Sequence, residues 1–378
     1  MNNRGIPCTI MRGGTSKGLY FMQSDLPTKE IERDKCLLRV MGSPDMKQID
    51  GLGGGSSVTS KVAIISPSER DGVDVDYLFA QVSVDTSFVS YAGNCGNISA
   101  GVGPFAIENG LVKSGCETTI VNIYNCNTGK MIRETIKTPN GVVTYDGNYE
   151  IRGVPGGAAP IRLDFISPAG SIFDSILPTG NPIDIISVDY NTNLEISIVD
   201  SSNPIVFVRA EDVGMTGCEL PDKINNNPDL LAKLELIRGL AAKKLGLVKE
   251  AQEATTLSPG IPKLTVVSSP KTYVTAENQT LSSSEYDILA RMTSMSKPHP
   301  TYAMTGAMCT ASAASIEGTL VNQITKLAPP GGVIRIGHPG GVLEAGVELE
   351  QHNNGELEIK SAYGYRTARK LMTGIVFS

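Results

Sequence analysis

The sequence predicts an α+β protein built of two similar domains, and three observations carry that expectation. First, 378 residues, 40% hydrophobic and 19% charged, exceed the length over which a single core keeps growing. Second, most of the chain reads as short, turn-bounded strands rich in branched residues, with few helices between them. Third, two small-residue helical stretches close on similar hexapeptides, Ile107-Glu108-Asn109-Gly110-Leu111-Val112 and Ile316-Glu317-Gly318-Thr319-Leu320-Val321. The Pro/Gly-rich zone Leu177 to Pro182 falls between them and is the expected boundary, giving domains of 1–182 and 183–365.

Taken in order, Ile6 to Met11 and Leu19 to Met22 read as strands joined by the loop Arg12-Gly13-Gly14-Thr15-Ser16-Lys17-Gly18. Pro27 to Val40 reads as a helix, with Pro27 and Thr28 at its start and Gly42 past its end. A second glycine-rich loop, Gly51 to Ser57, runs through Thr59-Ser60-Lys61 into the short apolar strand Val62 to Ile65. Asp74 to Val84 alternates at Val75, Tyr77, Phe79, Val82 and Val84, as a strand does. Ile98 to Val112 then reads as a central helix, small at Ser99, Ala100, Gly101 and Gly103, with Gly110 at its end. Thr118 to Tyr124, Met131 to Ile136, Val142 to Tyr145 and Ile161 to Phe165 read as strands. The second half repeats the logic: strands Leu194 to Val199 and Ile205 to Val208, a helix Pro228 to Leu245, and a strand Leu264 to Val267. Glu285 to Met295 and Thr305 to Thr325 read as helices, and Val333 to Ile336 begins the final strands. A gap-free match of the halves sets Met304 opposite Cys95 and predicts two helix N-termini directed at one interdomain cleft.

Net charge is −6 and no block is rich in lysine or arginine, which argues against nucleic acid or an anionic membrane as a partner. An anionic substrate would have to be attracted by local groups. Seven cysteines (8, 36, 95, 116, 126, 218 and 309) show no C-x-x-C spacing, and the odd number argues against a disulfide framework. Three histidines, at 299, 338 and 352, have no helical His/Glu spacing, so no metal site is expected. The N-terminus has no apolar signal core and no stretch has membrane-spanning length, so a cytoplasmic protein is expected.

The strongest candidate site is Asn94-Cys95-Gly96-Asn97. With Asn94 as N-cap, Cys95 would lie in the first helical turn, where unpaired N–H groups and the helix dipole favour an anion and make a thiol reactive. Gly96 and the two asparagines let backbone donors approach an oxyanion. The same residues equally suit a small buried cysteine. Neither glycine loop is a nucleotide motif: Ser16-Lys17 lacks the Walker frame, and Gly51 to Ser56 follows a helix without the third glycine of the dinucleotide fingerprint. Two readings remain, tight turns or nests of N–H groups for carboxylates at Thr15 and Ser16 and at Gly54, Gly55 and Ser56. Lys61 enters a buried strand, where a desolvated lysine beside another site group exchanges protons near neutrality. His338, in the turn His338-Pro339-Gly340-Gly341, suits a site wall or a surface turn. A thiol hydrolase pairing Cys95 with His299 or His338, or a non-catalytic carboxylate-binding module, stays open on these residues.

Several motifs in one order carry a resemblance: Met11-Arg12-Gly13-Gly14-Thr15-Ser16-Lys17-Gly18, Gly42-Ser43-Pro44-Asp45, Lys47 to Gly54, Ser60-Lys61 and Gly93-Asn94-Cys95-Gly96-Asn97. Asp76 to Phe79, Gly103 to Ile107, Thr305-Gly306-Ala307 and His338-Pro339 extend it through most of the chain. Together they resemble the 2-methylaconitate isomerase family, which includes the 3-methylitaconate Δ-isomerases and 4-oxalomesaconate tautomerases. Length and motif positions look most like the 3-methylitaconate Δ-isomerases. The resemblance implies the diaminopimelate epimerase-like fold, with each domain a sheet wrapped around a central helix and the site between the domains. Residues 366–378 are expected to return to the first domain. It also implies cofactor-independent proton transfer on a small unsaturated di- or tricarboxylate, with Lys61 and Cys95 as the catalytic pair. Relatives of that fold use two cysteines, and Met304 in the opposing position would leave Lys61 as the second acid/base. Thr15, Ser16, Gly54, Gly55, Ser56, Asn94, Gly96, Asn97, Thr305, Gly306, Ala307 and His338 are the expected substrate contacts, with no metal and no cofactor. A homo-oligomer is expected of a two-domain metabolic enzyme.

Overall fold

The computed structural model describes residues 5–91, 95–294, 296–325, 331–351 and 357–378. Two compact units emerge, Met1–Ile166 with Tyr365–Ser378, and Ser167–Gly364. The Pro/Gly-rich zone at 177–182 lies inside the second unit. It packs there as a loop: the Pro182 carbonyl accepts from Ser197 Oγ at 2.6 Å, and the Ile176 carbonyl accepts from Asp200 N–H at 2.9 Å. Among the described residues no helix is long and apolar enough to cross a membrane.

In the first unit, Gly5–Gly13 pairs antiparallel with Ala368–Phe377 on one side and with Ser16–Met22 on the other. Ser16–Met22 pairs parallel with Lys61–Pro67, which pairs antiparallel with Val75–Val82. Val75–Val82 runs parallel to Thr118–Asn125, and Lys130–Lys137 and Ile161–Ile166 complete the order in antiparallel steps. Residues of alternating parity serve opposite faces of this sheet. Leu19, Phe21, Val62, Ile64, Ala80 and Val82 form one core with Leu37, Val40 and Met41 of the helix Glu30–Met41. That helix ends at Gly42, whose φ of +77° suits the left-handed cap. Tyr20, Ala63, Tyr77 and Phe79 are buried on the other face, toward the central helical segment. There Tyr20 donates its hydroxyl to the Ile98 carbonyl at 2.6 Å and its ring lies 6.0 Å from that of Phe105.

The central segment is two short helices, Gly96–Ser99 and Val102–Glu108, where the sequence suggests one. The physical reason lies in Pro104, which has no N–H to bond the Ala100 carbonyl, and in Ile98, whose carbonyl is shared by Tyr20 and by Gly101 N–H at 3.1 Å. Val142 to Tyr145 is not a strand. The turn Pro139–Gly141, with Asn140 and Gly141 at φ +55° and +79°, breaks the extended run before it.

In the second unit, Asn193–Asp200 and Pro204–Arg209 form an antiparallel pair, and Pro204–Arg209 runs parallel to Lys263–Ser268. Ile288–Ser294 pairs antiparallel with Lys263–Ser268 and parallel with Gly332–His338. Gly341–Gln351 and Leu357–Arg366 follow in antiparallel steps. The expected helix Glu285 to Met295 is thus a strand over 288–294; Met295 lies outside the described residues. Residues 288–293 are buried on both faces, so no alternation of polarity marks the strand in the sequence. The expected helix Thr305 to Thr325 divides into Met304–Ser315 and Leu320–Thr325. Thr319 punctuates it, donating to the Ala313 carbonyl at 2.6 Å and accepting from Asn322 N–H at 3.1 Å.

Both units therefore repeat one succession: a hairpin, a crossover through an outer helix to a parallel strand, an antiparallel strand, the central helical segment, a second parallel strand and two antiparallel ones. The sequence match of the halves shifts by one residue. Cys95 and Ala303 occupy the positions preceding the two central helices, so Ala303, not Met304, is the counterpart of Cys95.

The packing of Gly101 on Tyr20 generates a stability prediction. A Cβ there would lie 2.7 Å from Tyr20 Cζ, whereas a Cβ on Gly260 meets nothing within 4 Å. Gly101→Ala is expected to lower unfolding stability by about 1–3 kcal/mol in urea titration, and Gly260→Ala to leave it near the parent value.

Candidate active site

Cys95 is half-buried, with extended backbone (φ −122°, ψ 94°), and caps the short helix rather than sitting within its first turn. Its carbonyl accepts from Ser99 N–H at 2.9 Å and Ser99 Oγ at 3.1 Å. Asn94, the expected cap, lies outside the described residues. Gly96 and Asn97 open the helix. Asn97 is the hub of the site. Its Nδ2 donates to Thr15 Oγ1 at 2.9 Å and to Ser16 Oγ at 3.5 Å, and its Oδ1 accepts from Arg366 Nε at 3.2 Å. A Cβ on Gly13 or Gly14 would run into Asn97, so the first glycine loop reaches the helix start only because both residues lack one.

Lys61 opens its strand beside this contact. Its alternation with Val62 and Ile64 turns its side chain toward the central helical segment. A Cβ on Gly18 would lie 2.9 Å from both the Lys61 carbonyl oxygen and Ile98 Cδ1, so Gly18 brings the strand start and the first helical turn together. Lys61 Nζ donates to Gln81 Oε1 at 2.6 Å and lies 5.1 Å from the centre of the Phe79 ring. Gln81 Nε2 is itself fixed by the carbonyls of Ser60 at 2.8 Å and Ser57 at 3.2 Å.

The second glycine loop folds around Gln48, which is 1% exposed. Gln48 donates to Ser60 Oγ at 2.7 Å and Ser43 Oγ at 3.0 Å, and accepts from Gly55 N–H at 2.9 Å. Ser56 and Thr59 join their hydroxyls at 2.9 Å, and Gly54 packs against Thr59. The N–H of Gly55 and the hydroxyl of Ser56 thus have partners within the loop. The loop meets the first one through Lys17 N–H, which donates to the Val58 carbonyl at 2.9 Å.

Thr305, Gly306 and Ala307 lie in the first turn of Met304–Ser315 in the second unit, with Gly306 packed on Met292. His338 is 3% exposed and its Nδ1 accepts from Gly340 N–H at 3.0 Å. A Cβ on Gly340 would lie 3.0 Å from Thr301, which sets this turn near the start of that helix within the unit. His299 Nδ1 accepts from Thr301 N–H at 3.1 Å.

Three groups escape the sequence reading. Arg366 is 7% exposed, and burial pushes its pKa down to about 10, while nearby Tyr149 and Cys95 act in the opposite sense. Nothing local in the sequence marks it. Glu134 is fully buried between Ile132 and Ile136 on the inward face of its strand, a position the alternation alone could have revealed. It accepts from Gly103 N–H at 2.9 Å through one oxygen, the other has no partner among the described residues, and burial raises its pKa to about 8. Lys263 opens its strand as Lys61 does, pairing with Ile205 where Lys61 pairs with Gly18. Its Nζ is 3.4 Å from Asn203 Oδ1, and burial lowers its pKa.

A thiol and hydroxyls at a helix start, with a lysine opening a strand whose backbone Gly18 sets against that helix, suit acid/base chemistry on an anion. The family model described as PrpF protein matches residues 3–378. The chain belongs to the PrpF family. The 3-methylitaconate isomerase of Eubacterium barkeri is 46% identical over 98% of this chain and 97% of its own length. The (4E)-oxalomesaconate Delta-isomerase of Novosphingobium sp. is 42% identical over 100% and 98%, and a 2-methyl-aconitate isomerase of Shewanella oneidensis is 41% identical over 98% and 96%. This PrpF protein is accordingly an isomerase. A crystal structure of methylitaconate-delta-isomerase superposes with a TM-score of 0.91 at 45% identity, covering 100% of this chain and 96% of that one. A hydroxyproline epimerase from Agrobacterium vitis gives a TM-score of 0.52 at 10% identity, over 99% and 93%. The fold is the α+β, diaminopimelate epimerase-like one expected from the sequence.

The buried carboxyl of Glu134 sets a pH dependence for this PrpF protein. Its folded pKa, about 8, stands above the ordinary value of 4.5, so folding favours its protonated form. The stability this confers is complete below the unfolded value and is lost as pH rises toward 8, at no more than about 1.4 kcal/mol per pH unit. Glu134→Gln, which mimics the protonated form, is expected to flatten that decline. Urea unfolding across this window should show the variant gaining on the parent as pH rises; parallel curves would refute the assignment.

Proposed function

We propose that this isomerase interconverts 3-methylitaconate and 2,3-dimethylmaleate, with Lys61 and Cys95 as the acid/base pair. The observation that carries the substrate is the 46% identity, along nearly the whole of both chains, to the 3-methylitaconate isomerase of Eubacterium barkeri. In 3-methylitaconate one hydrogen is both α to a carboxylate and allylic. Its removal leaves a dienolate spread to the terminal methylene, and protonation of that carbon makes the new methyl group. One C–H bond breaks, one forms, and the double bond moves inward.

The barrier is the weak acidity of the carbon, so stabilising the developing charge matters most. Lys61 and Cys95 share removal and return of the proton. Gln81 holds the Lys61 amine at 2.6 Å, and the ring of Phe79 lies against it, which limits its motion. N–H groups in the first turn after Cys95 and the hydroxyls of Thr15 and Ser16 hold carboxylate oxygens. This chemistry needs no metal or organic cofactor, because the substrate's own conjugation stores the charge. The substrate is a small unsaturated dicarboxylate.

The test is turnover of 3-methylitaconate, 2-methylaconitate and oxalomesaconate in D₂O, followed by vinyl absorbance and NMR. Deuterium should enter the new methyl group of 2,3-dimethylmaleate, and 3-methylitaconate should be the fastest substrate. Lys61→Ala and Cys95→Ala should each lower turnover on the order of 10²–10⁴-fold with the fold intact by circular dichroism. Near-parental turnover in Lys61→Ala would remove the lysine from the mechanism, and faster turnover of a tricarboxylate would reassign the substrate.

A further inference from the structure

We propose that Arg366 is the anchor for one carboxylate of the substrate, presented beside Cys95 by its bond to Asn97. The inference rests on the substrate being a dicarboxylate, as argued above, and adds which residue takes one of its acid groups.

The argument starts from an unbalanced charge. Arg366 ends the strand Leu357–Arg366 and its side chain is 7% exposed. Its Nε donates to Asn97 Oδ1 at 3.2 Å and its Nη1 to the Tyr365 carbonyl at 2.9 Å, both neutral acceptors. Among the described residues no carboxylate pairs with it and no acceptor engages Nη2. Of the other buried guanidinium groups, Arg238, 1% exposed, pairs with Glu235, while Arg291, 2% exposed, bonds to carbonyls and leaves Nη2 without a partner among the described residues but has the charge of Glu219 nearby and the Tyr273 ring at 5.0 Å. Arg366 has no such carboxylate among the described residues; the ionisable groups that favour its charge are Tyr149 and Cys95. A guanidinium withdrawn from water without a counter-charge is costly, and an arriving carboxylate removes that cost. Its planar fork matches a carboxylate's two oxygens better than an ammonium does.

Position supports the same conclusion. Asn97 couples Arg366 to the hydroxyls of Thr15 and Ser16 through the two ends of one amide. An acid group lying against the free side of the guanidinium meets donors from the helix start and the first glycine loop together. Arg12 plays a different part. Its Nη1 is committed to the carbonyls of Gly14 and Thr367 and to Thr367 Oγ1, so it braces the loop.

The experiment measures binding by calorimetry, using 2-methylsuccinate, a saturated dicarboxylate that cannot isomerise, and its two monomethyl esters. Arg366→Gln should bind the diacid about 30-fold or more weakly than the parent. Exactly one ester should bind the parent as weakly as the diacid binds the variant, and that ester should lose nothing further on substitution. The second ester should weaken as the diacid does, and Arg366→Lys should recover part of the diacid affinity. A merely structural role would weaken all three ligands alike. That result, an unchanged diacid affinity in Arg366→Gln, or a parent that binds no saturated dicarboxylate, overturns the proposal. If Arg366→Gln does not fold, Arg366→Lys carries the same comparison, with a smaller loss on the diacid and none on the insensitive ester. Arginine-dependent diacid binding in a protein that leaves 3-methylitaconate unchanged would instead overturn the substrate assignment.

Discussion

One side-chain amide holds the first unit's site together. Asn97 spans the helix start, the first glycine loop and the strand that ends at Arg366, using its two NH₂ hydrogens for hydroxyls and its oxygen for the guanidinium. An amide does this because it is at once donor and acceptor, and a carboxylate in its place would neutralise the arginine. The geometry also requires Gly13 and Gly14, since a Cβ on either would occupy space held by Asn97. Gly18, between the Lys61 backbone and Ile98, imposes the same restriction one step along the sheet. The three glycines let the sheet and the helix start approach closely.

The partners of the cations follow a consistent logic. Lys61 rests on an amide oxygen and an aromatic face, Arg12 on carbonyls and a hydroxyl, Arg366 on an amide and a carbonyl. Neutral partners fix a cation without consuming its charge, which leaves it available to a bound anion. In a chain of net charge −6 this is the local attraction that an anionic substrate needs. Glu134, buried under the central segment, does not oppose it: with a pKa near 8 it is mainly protonated at neutral pH.

The sequence makes much of this architecture legible, and the failures share a cause. Short strands with clear alternation, such as Val75–Val82, and the glycine loops are visible because their signals are local. Ile288–Ser294 is read as a helix because burial on both faces erases the alternation that distinguishes a strand. The central segment is read as one helix because an interior proline competes with a strong small-residue pattern, and the proline prevails. At the site, Asn97, two residues after Cys95, joins Thr15 and Ser16, and Gly18 sets the Lys61 backbone against Ile98. Arg366 is invisible for another reason. It lies 269 residues from Asn97 and owes its position to the path of the chain's last segment, which no local pattern encodes.

The repeat within the chain sharpens the chemistry. Both units set a lysine at the start of the strand parallel to their hairpin, Lys61 and Lys263, and both run a small-residue helix after the fourth strand of the shared succession. Only the first unit has a thiol at the residue preceding that helix; the second has Ala303, and its Cys309 is fully buried with a thiol pKa raised by burial. A duplicated frame with a thiol at only one of its two helix starts does not supply a pair of equivalent thiols. It suits a reaction in which the proton leaves one carbon and returns to another in the same conjugated system. In the proposed mechanism the second group need not be a mirror-related cysteine, and a lysine on the same sheet as the hairpin suffices. The loss of symmetry between two otherwise parallel halves is thus what an allylic proton shift permits and a racemisation by paired thiols does not.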